Sequence, residues 1–312
     1  MPAKAYLVAV VSIAMLAVAA CRAGAPSGGA GASPQPTGGS CTLSPTGALQ
    51  KVTFNGPGPG GATVPRSYER YVPAGVSSAS KLPLLVSLHG TGANGAIQAS
   101  LTHWTSFADS LAGTGGAFIS VFPDGLNTVW FWGAEKSYDA AFVFDVIAEV
   151  RLSQCIDPTS IFIDGWSEGA YMAQRMACSA GDASVNRNAV KLAAVHGYAG
   201  GDPDVSGKSC TAPAITRVLL SQGLDDTIID PQRLGFPAYL AWGRRYGCGG
   251  SPQTLTAVQQ ISGCGHDAQV AWWPIAGQGH LAWSCSAKPT WHNQGVWAFF
   301  TSRLLPPGSV CG

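Results

Sequence analysis

Gly165-Trp166-Ser167-Glu168-Gly169 is a glycine-x-serine-x-glycine string, a pattern able to present a serine hydroxyl to a carbonyl carbon. It follows the apolar run Ser160 to Ile163 with Asp164, and it precedes Ala170 to Cys178, a stretch of good helix formers. A strand, a tight turn and a helix are therefore expected, with glycines relieving the crowding and the serine pushed out over the sheet edge. The helix N-terminus beneath it favours negative charge that develops nearby. A nucleophilic serine needs a base and an orienting carboxylate, in the chain order serine, acid, histidine. Of the six histidines, His280 closes the loop Ala276-Gly277-Gln278-Gly279-His280 after the apolar run Val270 to Ile275. His266 precedes that run and would face the other end, and His292 opens the terminal helix, where it is expected at the surface. Asp225 and Asp226 follow Leu220-Ser221-Gln222-Gly223, and either could hold the imidazole. Acyl transfer further requires two N–H donors for the oxyanion. The N–H of Glu168 is one candidate; the other is that of Thr91, in His89-Gly90-Thr91-Gly92 after Leu82 to Leu88.

Two rival motifs carry less. Gly90-Thr91-Gly92-Ala93-Asn94-Gly95 spells a dinucleotide fingerprint, but Asp109, at the right distance, falls inside an expected helix and not at a strand end. Cys264-Gly265-His266 lacks a second ligand pair with zinc spacing. No cofactor and no metal are expected.

The elements that must position these residues alternate. Strands are expected over Leu82–Leu88, Ala117–Phe122, Ser160–Ile163, Leu192–Val195, Arg217–Leu220 and Val270–Ile275. Helices are expected over His103–Leu111, Tyr138–Leu152, Phe236–Tyr246 and Trp291–Leu304, and Asp157-Pro158 is read as a stop. Such alternation implies an α/β fold, a mostly parallel sheet covered on both faces, with the site beyond the carboxyl ends of the strands.

Composition agrees. Of 312 residues 46% are apolar and 11% charged, with 18 basic against 17 acidic residues, so no basic stripe invites nucleic acid. Forty glycines and 21 prolines argue against long helical bundles. Lys4 and the apolar run Ala5 to Ala20 fit a signal peptide over residues 1–20. Val18-Ala19-Ala20-Cys21 is similar to a bacterial lipobox, which implies lipidation of Cys21 and a membrane contact through that anchor alone. Residues 21–40, rich in Gly, Ser and Pro, read as a flexible tether spanning roughly 25 Å, and 41–312 as one catalytic domain. The eight cysteines beyond Cys21 suit an oxidising, extracellular setting. Proximity in sequence favours the pairs Cys248 with Cys264 and Cys155 with Cys178. Among ten tryptophans, Trp130, Trp132 and Trp283 flank the motifs and are candidates for an apolar substrate platform at the cleft mouth.

The strings LLVSLHGTG, FPDG, IDPTSIFIDGWSEGAYMAQRMAC, SQGLDDTIID and GQGHLAW, from about Arg66 to Phe300, resemble the polyhydroxybutyrate-depolymerase-like esterases. These are α/β-hydrolases related to feruloyl and acetylxylan esterases. The resemblance implies a secreted serine carboxylic-ester hydrolase with Ser167, Asp226 and His280 as its triad. The family's glycine-x-x-aspartate element, laid on Gly223 to Asp226, selects Asp226 over Asp225. Trp242 followed by Cys248 and Cys264 also resembles a family cysteine pair. The implied substrates are polyhydroxyalkanoate-type, feruloyl or acetyl polysaccharide esters, or a small ester. The alternative is a non-catalytic polymer- or polysaccharide-binding lipoprotein on the same scaffold. Three departures bear on the acyl pocket: Ala170 stands where a second glycine is frequent, Trp283 comes three residues after His280 instead of two, and Glu168 places a charge beside the oxyanion donors.

Overall fold

Leu84, Leu85, Val86 and Leu88 are all fully buried, as a continuous apolar run must be when a strand is covered on both faces. That run is β3 (Leu82–Leu88), at the centre of a nine-stranded sheet. The computed structural model of the chain describes residues 43–308, apart from 78–80, 135, 205–209, 211–213, 216, 251–252, 285–288 and 307. The chain divides into two units, Met1–Ser40 and Cys41–Gly312. The expected signal peptide, the tether and Cys21 all lie outside the described residues.

In chain order the elements are β1 (Gln50–Pro57), β2 (Thr63–Tyr71), β3, α1 (Gly95–Thr102), α2 (Trp104–Leu111), β4 (Ile119–Pro123), α3 (Tyr138–Ser153) and β5 (Ile156–Gly165). Then follow α4 (Glu168–Ser179), β6 (Ala194–Tyr198), β7 (Arg217–Gly223), α5 (Phe236–Arg245), β8 (Gln259–Ile261), β9 (Gln269–Ile275) and α6 (Trp291–Ser302). The strand order is β1-β2-β4-β3-β5-β6-β7-β9-β8. The six strands from β4 to β9 in that order run parallel, and β1, β2 and β8 join antiparallel at the two sides. The α/β expectation holds. From β3 the chain crosses to β4 on one side, and from β5 to β6 on the other. The loops after β3 and β5 therefore part at a switch point, where α/β sheets bind ligands.

Alternate strand residues divide between two cores. Leu84, Val86, Ile161, Ile163 and Leu220 pack with Phe142 and Val146 of α3, Met172 and Met176 of α4 and Trp242 of α5. Leu85, Phe162, Leu219 and Ala271 pack with Trp104 and Phe107 of α2 and Val296 and Phe300 of α6. This period of two holds the sheet rigid beneath its loops.

The structure corrects several expectations. Asp157-Pro158 does not stop a segment but sits inside β5, where the register with β3 shifts. Proline cannot donate to a ladder, and Asp157 instead accepts from Thr159 N and Ser160 Oγ in a local turn. His292 is buried, not at the surface. Cys178 pairs with Cys210, not with Cys155. Gln174 and Arg175, about one turn earlier on α4, bind Gly201 O and Pro203 O, so the helix end faces the segment that carries Cys210. Cys155 is disulfide-bonded as well. Cys248 pairs with Cys264, as expected, which removes Cys264 as a zinc thiolate.

Candidate active site

β5 passes into α4 through a turn only two residues long, Trp166 and Ser167. Ser167 lies at φ 57° and ψ −121°, a conformation that costs a non-glycine residue about 1–3 kcal/mol. Both flanking glycines are required by contact. A Cβ on Gly165 would stand 2.1 Å from Gly169 O, and one on Gly169 would stand 2.1 Å from Leu88 O. The turn is tied to its neighbours by Trp166 N–H to Leu88 O at 3.1 Å and Ser167 N–H to Tyr198 O at 2.9 Å.

Ser167 Oγ lies 2.9 Å from His280 Nε2, and His280 Nδ1 lies 2.9 Å from Asp226 Oδ2. Asp226 Oδ1 accepts the N–H groups of Ile228 and Ile229, and Oδ2 accepts Gln222 Nε2 as well. A carboxylate so surrounded by donors accepts from Nδ1–H, which leaves Nε2 free to take the Ser167 proton. The Asp226 side chain is fully buried, whereas His280 keeps partial exposure. Asp225, the other acid left open by spacing, is exposed. The His280 loop is fastened from both sides. Trp166 Nε1 donates to His280 O at 2.6 Å, Tyr198 Oη to Gly279 O at 2.6 Å, and Asp225 N–H to Gln278 O at 2.9 Å.

Thr91 sits in the loop after β3, close against the turn. A Cβ on Gly90 would lie 2.9 Å from the Trp166 ring and 3.2 Å from Ser167 Cβ. His89 braces this loop: its Nε2 accepts Gly125 N–H at 2.9 Å, and its Nδ1 donates to Gly90 O at 2.8 Å. Burial lowers the His89 pKa, which keeps the ring neutral in that role. As the first residue of α4, Glu168 has no intrahelical acceptor for its N–H. Burial raises the Glu168 carboxyl pKa, and the nearby Asp139 adds to the rise; the Thr91 hydroxyl, which donates to it, and the neighbouring Trp130 and Trp132 oppose it. The would-be dinucleotide fingerprint places Asn94 as the α1 cap, and Asp109 binds the Tyr71 hydroxyl at 2.6 Å. Among the described residues no group of three or more His, Cys, Asp or Glu side chains is arranged to hold a metal ion.

The acetyl xylan esterase from Aspergillus awamori matches this chain with a TM-score of 0.59 at 16% identity, covering 82% of this chain and 100% of that one. A ferulic acid esterase from Anaeromyces mucronatus, solved with ferulic acid, matches with a TM-score of 0.50 at 15% identity, over 75% of this chain and 84% of that one. The chain has the α/β-hydrolase fold. By sequence this α/β-hydrolase is 27% identical over 169 residues to a bifunctional acetylxylan esterase/xylanase from Neocallimastix patriciarum, 54% of this chain and 22% of that protein. It is 30% identical over 117 residues to a probable feruloyl esterase C from Aspergillus terreus, 36% of this chain and 42% of that protein. The chain is thus similar to feruloyl and acetylxylan esterases, and it spans less than half the length of these curated relatives. No protein-family model matches it.

Two of the three candidate tryptophans, Trp130 and Trp283, are buried and do not form the expected platform. Trp130 is 3% exposed; its ring lies tilted against His89 at 4.7 Å and it donates to His89 O at 2.8 Å. Trp283 is 7% exposed and donates to Asn293 Oδ1 at 3.0 Å. Both rings brace loops from within. Trp132 is half-buried and stacks on Tyr171 at 4.6 Å. Their loop is pinned by the buried Arg66–Asp139 pair at 2.6 Å, whose carboxylate also takes Phe131 N–H.

One arrangement escaped sequence reasoning. His196 Nδ1 lies 2.7 Å from Asp164 Oδ1, and His196 Nε2 lies 2.7 Å from Ser221 Oγ. Asp164 Oδ2 accepts Ser87 Oγ and Trp104 Nε1, and Ser221 Oγ is 3.2 Å from His292 Nε2. This second serine–histidine–aspartate relay is buried in the sheet on β5, β6 and β7. Its only sequence signal is polar residues near the carboxyl ends of otherwise apolar strands.

Proposed function

We propose that the protein is a serine carboxylic-ester hydrolase. The observation that carries this reading is the Ser167–His280–Asp226 relay at the carboxyl ends of parallel strands, with its serine on a strained turn. Ser167 Oγ attacks the ester carbonyl while His280 Nε2 takes its proton, and Asp226 holds the imidazole and offsets its charge. The N–H groups of Thr91 and Glu168 receive the oxyanion. On collapse His280 returns the proton to the leaving alcohol. Water, deprotonated by the same base, then releases the acid from the acyl-enzyme.

The names of the relatives support polysaccharide acetyl or feruloyl esters as substrates, with polyhydroxyalkanoate-type esters as the further class to screen. The disulfides favour export, and Cys21 is proposed as the lipid anchor, to be tested by palmitate incorporation into wild type against Cys21→Ser. Ser167→Ala should abolish hydrolysis of a p-nitrophenyl acetate probe. A fluorophosphonate should label wild type at the Ser167 peptide alone; retained turnover in the alanine variant would refute the assignment.

A further inference from the structure

Glu168 follows Ser167 directly, and its side chain turns away from α4 toward the loop after β3. There Thr91 Oγ1 donates to Glu168 Oε2 at 3.0 Å. Trp130 and Trp132 of the loop after β4 stand near enough to the same carboxyl to favour its charged form. One side chain therefore joins the turn that carries the serine to the loop after β3. The two residues tied most directly, Thr91 and Glu168, are those whose peptide N–H groups would hold the oxyanion.

Those two N–H groups come from segments 77 residues apart, so no short covalent path fixes their spacing. The contact of Gly90 with Trp166 sets how near the loop can come, and His89 and Trp130 brace the loop against the segment after β4, but none of these contacts joins Thr91 itself to the serine turn, which leaves that distance free. A hydrogen bond between the two donor residues removes that freedom. Oxyanion stabilisation depends on donors held to within a fraction of an ångström, and a misplaced donor loses most of its effect. A carboxylate is also a demanding choice beside developing negative charge, because the two repel. The Thr91 hydroxyl, bonded to Oε2, draws that charge toward the loop after β3.

Resting on the ester-hydrolase reading, we propose that the Thr91–Glu168 hydrogen bond is a clasp that sets the spacing of the oxyanion donors. Both side chains are thus positioning residues for the chemical step. The clasp makes a kinetic demand: its loss lowers kcat and leaves KM nearly alone, because the oxyanion exists only beyond the bound ester.

The test is a cycle of Thr91→Val, Glu168→Ala and the double variant, with Thr91→Ser and Glu168→Gln as conservative partners, on p-nitrophenyl acetate. Each single variant should lower kcat by roughly 10- to 100-fold with KM within about twofold. The double should be no slower than the slower single, since both remove one shared contact. Thr91→Ser and Glu168→Gln, which keep donor and acceptor, should recover most of the loss. Losses that multiply in the double, or that fall on KM, or a Thr91→Val variant as fast as wild type, would overturn the clasp. Should Glu168→Ala fail to fold, Thr91→Val against Thr91→Ser decides. A wild-type protein that neither turns over esters nor takes the fluorophosphonate sinks the underlying reading instead. Turnover in wild type with Thr91→Val unaffected sinks the clasp alone.

Discussion

Ser167–His280–Asp226 and Ser221–His196–Asp164 repeat the same three side chains in the same order of contact. The links are 2.9 and 2.9 Å in the first and 2.7 and 2.7 Å in the second. By side-chain geometry the second is, if anything, the tighter. What separates them is backbone and access. Ser167 stands on a turn at positive φ, partly exposed, next to an N–H that no helical carbonyl takes. Ser221 is built into β7 between β6 and β9, and it is 1% exposed. A ladder strand has no spare N–H for an oxyanion, and no ester reaches a closed core. The pair teaches that a hydrogen-bonded relay is a common way to satisfy buried polar groups. Only a turn that frees the serine and its neighbour's N–H gives such a relay something to do.

The comparison can be broken most directly at the two carboxylates. Asp226→Asn should cost about 10⁴-fold in kcat, since it strands the imidazole in the wrong tautomer, with little change in fold. Asp164→Asn should do the reverse and remove about 3–5 kcal/mol of stability from a buried charged network, while the folded fraction keeps its turnover. Esterase kinetics paired with denaturant unfolding reads both, and a kinetic collapse of folded Asp164→Asn would erase the distinction. Ser221→Ala offers a milder version. It should cost about 1–3 kcal/mol, because His196 and His292 lose their shared partner, with kcat within a few-fold of wild type.

The smallest effect concerns pH. Burial lowers the pKa of His89 and, more strongly, of His292, where His196 also repels the charge. The unfolded chain takes up protons below the ordinary value of 6.5 that the folded chain refuses. Stability from these groups is therefore full above that value and drains away as pH falls beneath it. The thermal midpoint should drop from pH 7 to pH 5, and His292→Gln should flatten the slope; an unchanged slope would show that His292 titrates as freely folded as unfolded.

Much of this arrangement was legible before any coordinates. β3 begins and ends at the residues its apolar run suggested, and α3 differs by one residue at its end, because both are buried elements whose pattern is uninterrupted. The hairpin of β1 and β2 was missed, since β1 lies at the sheet edge with half of its positions exposed and reads as a polar loop. α1 was missed because it buries Gly95, Gln98, Ala99 and Thr102 and leaves Ile97 exposed, so no apolar stripe of helical period marks it. Spacing left Asp225 and Asp226 equivalent; the family resemblance selected Asp226, and Gln222, Ile228 and Ile229 gather on that carboxylate. The partner of Cys178 was unreadable for a related reason: distance along the chain says nothing about which loop a helix end meets.

The five-residue string around Ser167 has two positions conventionally open to any residue, and here neither is idle. Trp166 grips the carbonyl of the histidine loop, and Glu168 grips the threonine of the loop opposite. Exchanging this pentapeptide for one with other residues at those two positions would preserve the motif on paper and cut both moorings at once. Engineers grafting active-site cassettes between these scaffolds would then move the attacking atom while leaving its two partners adrift.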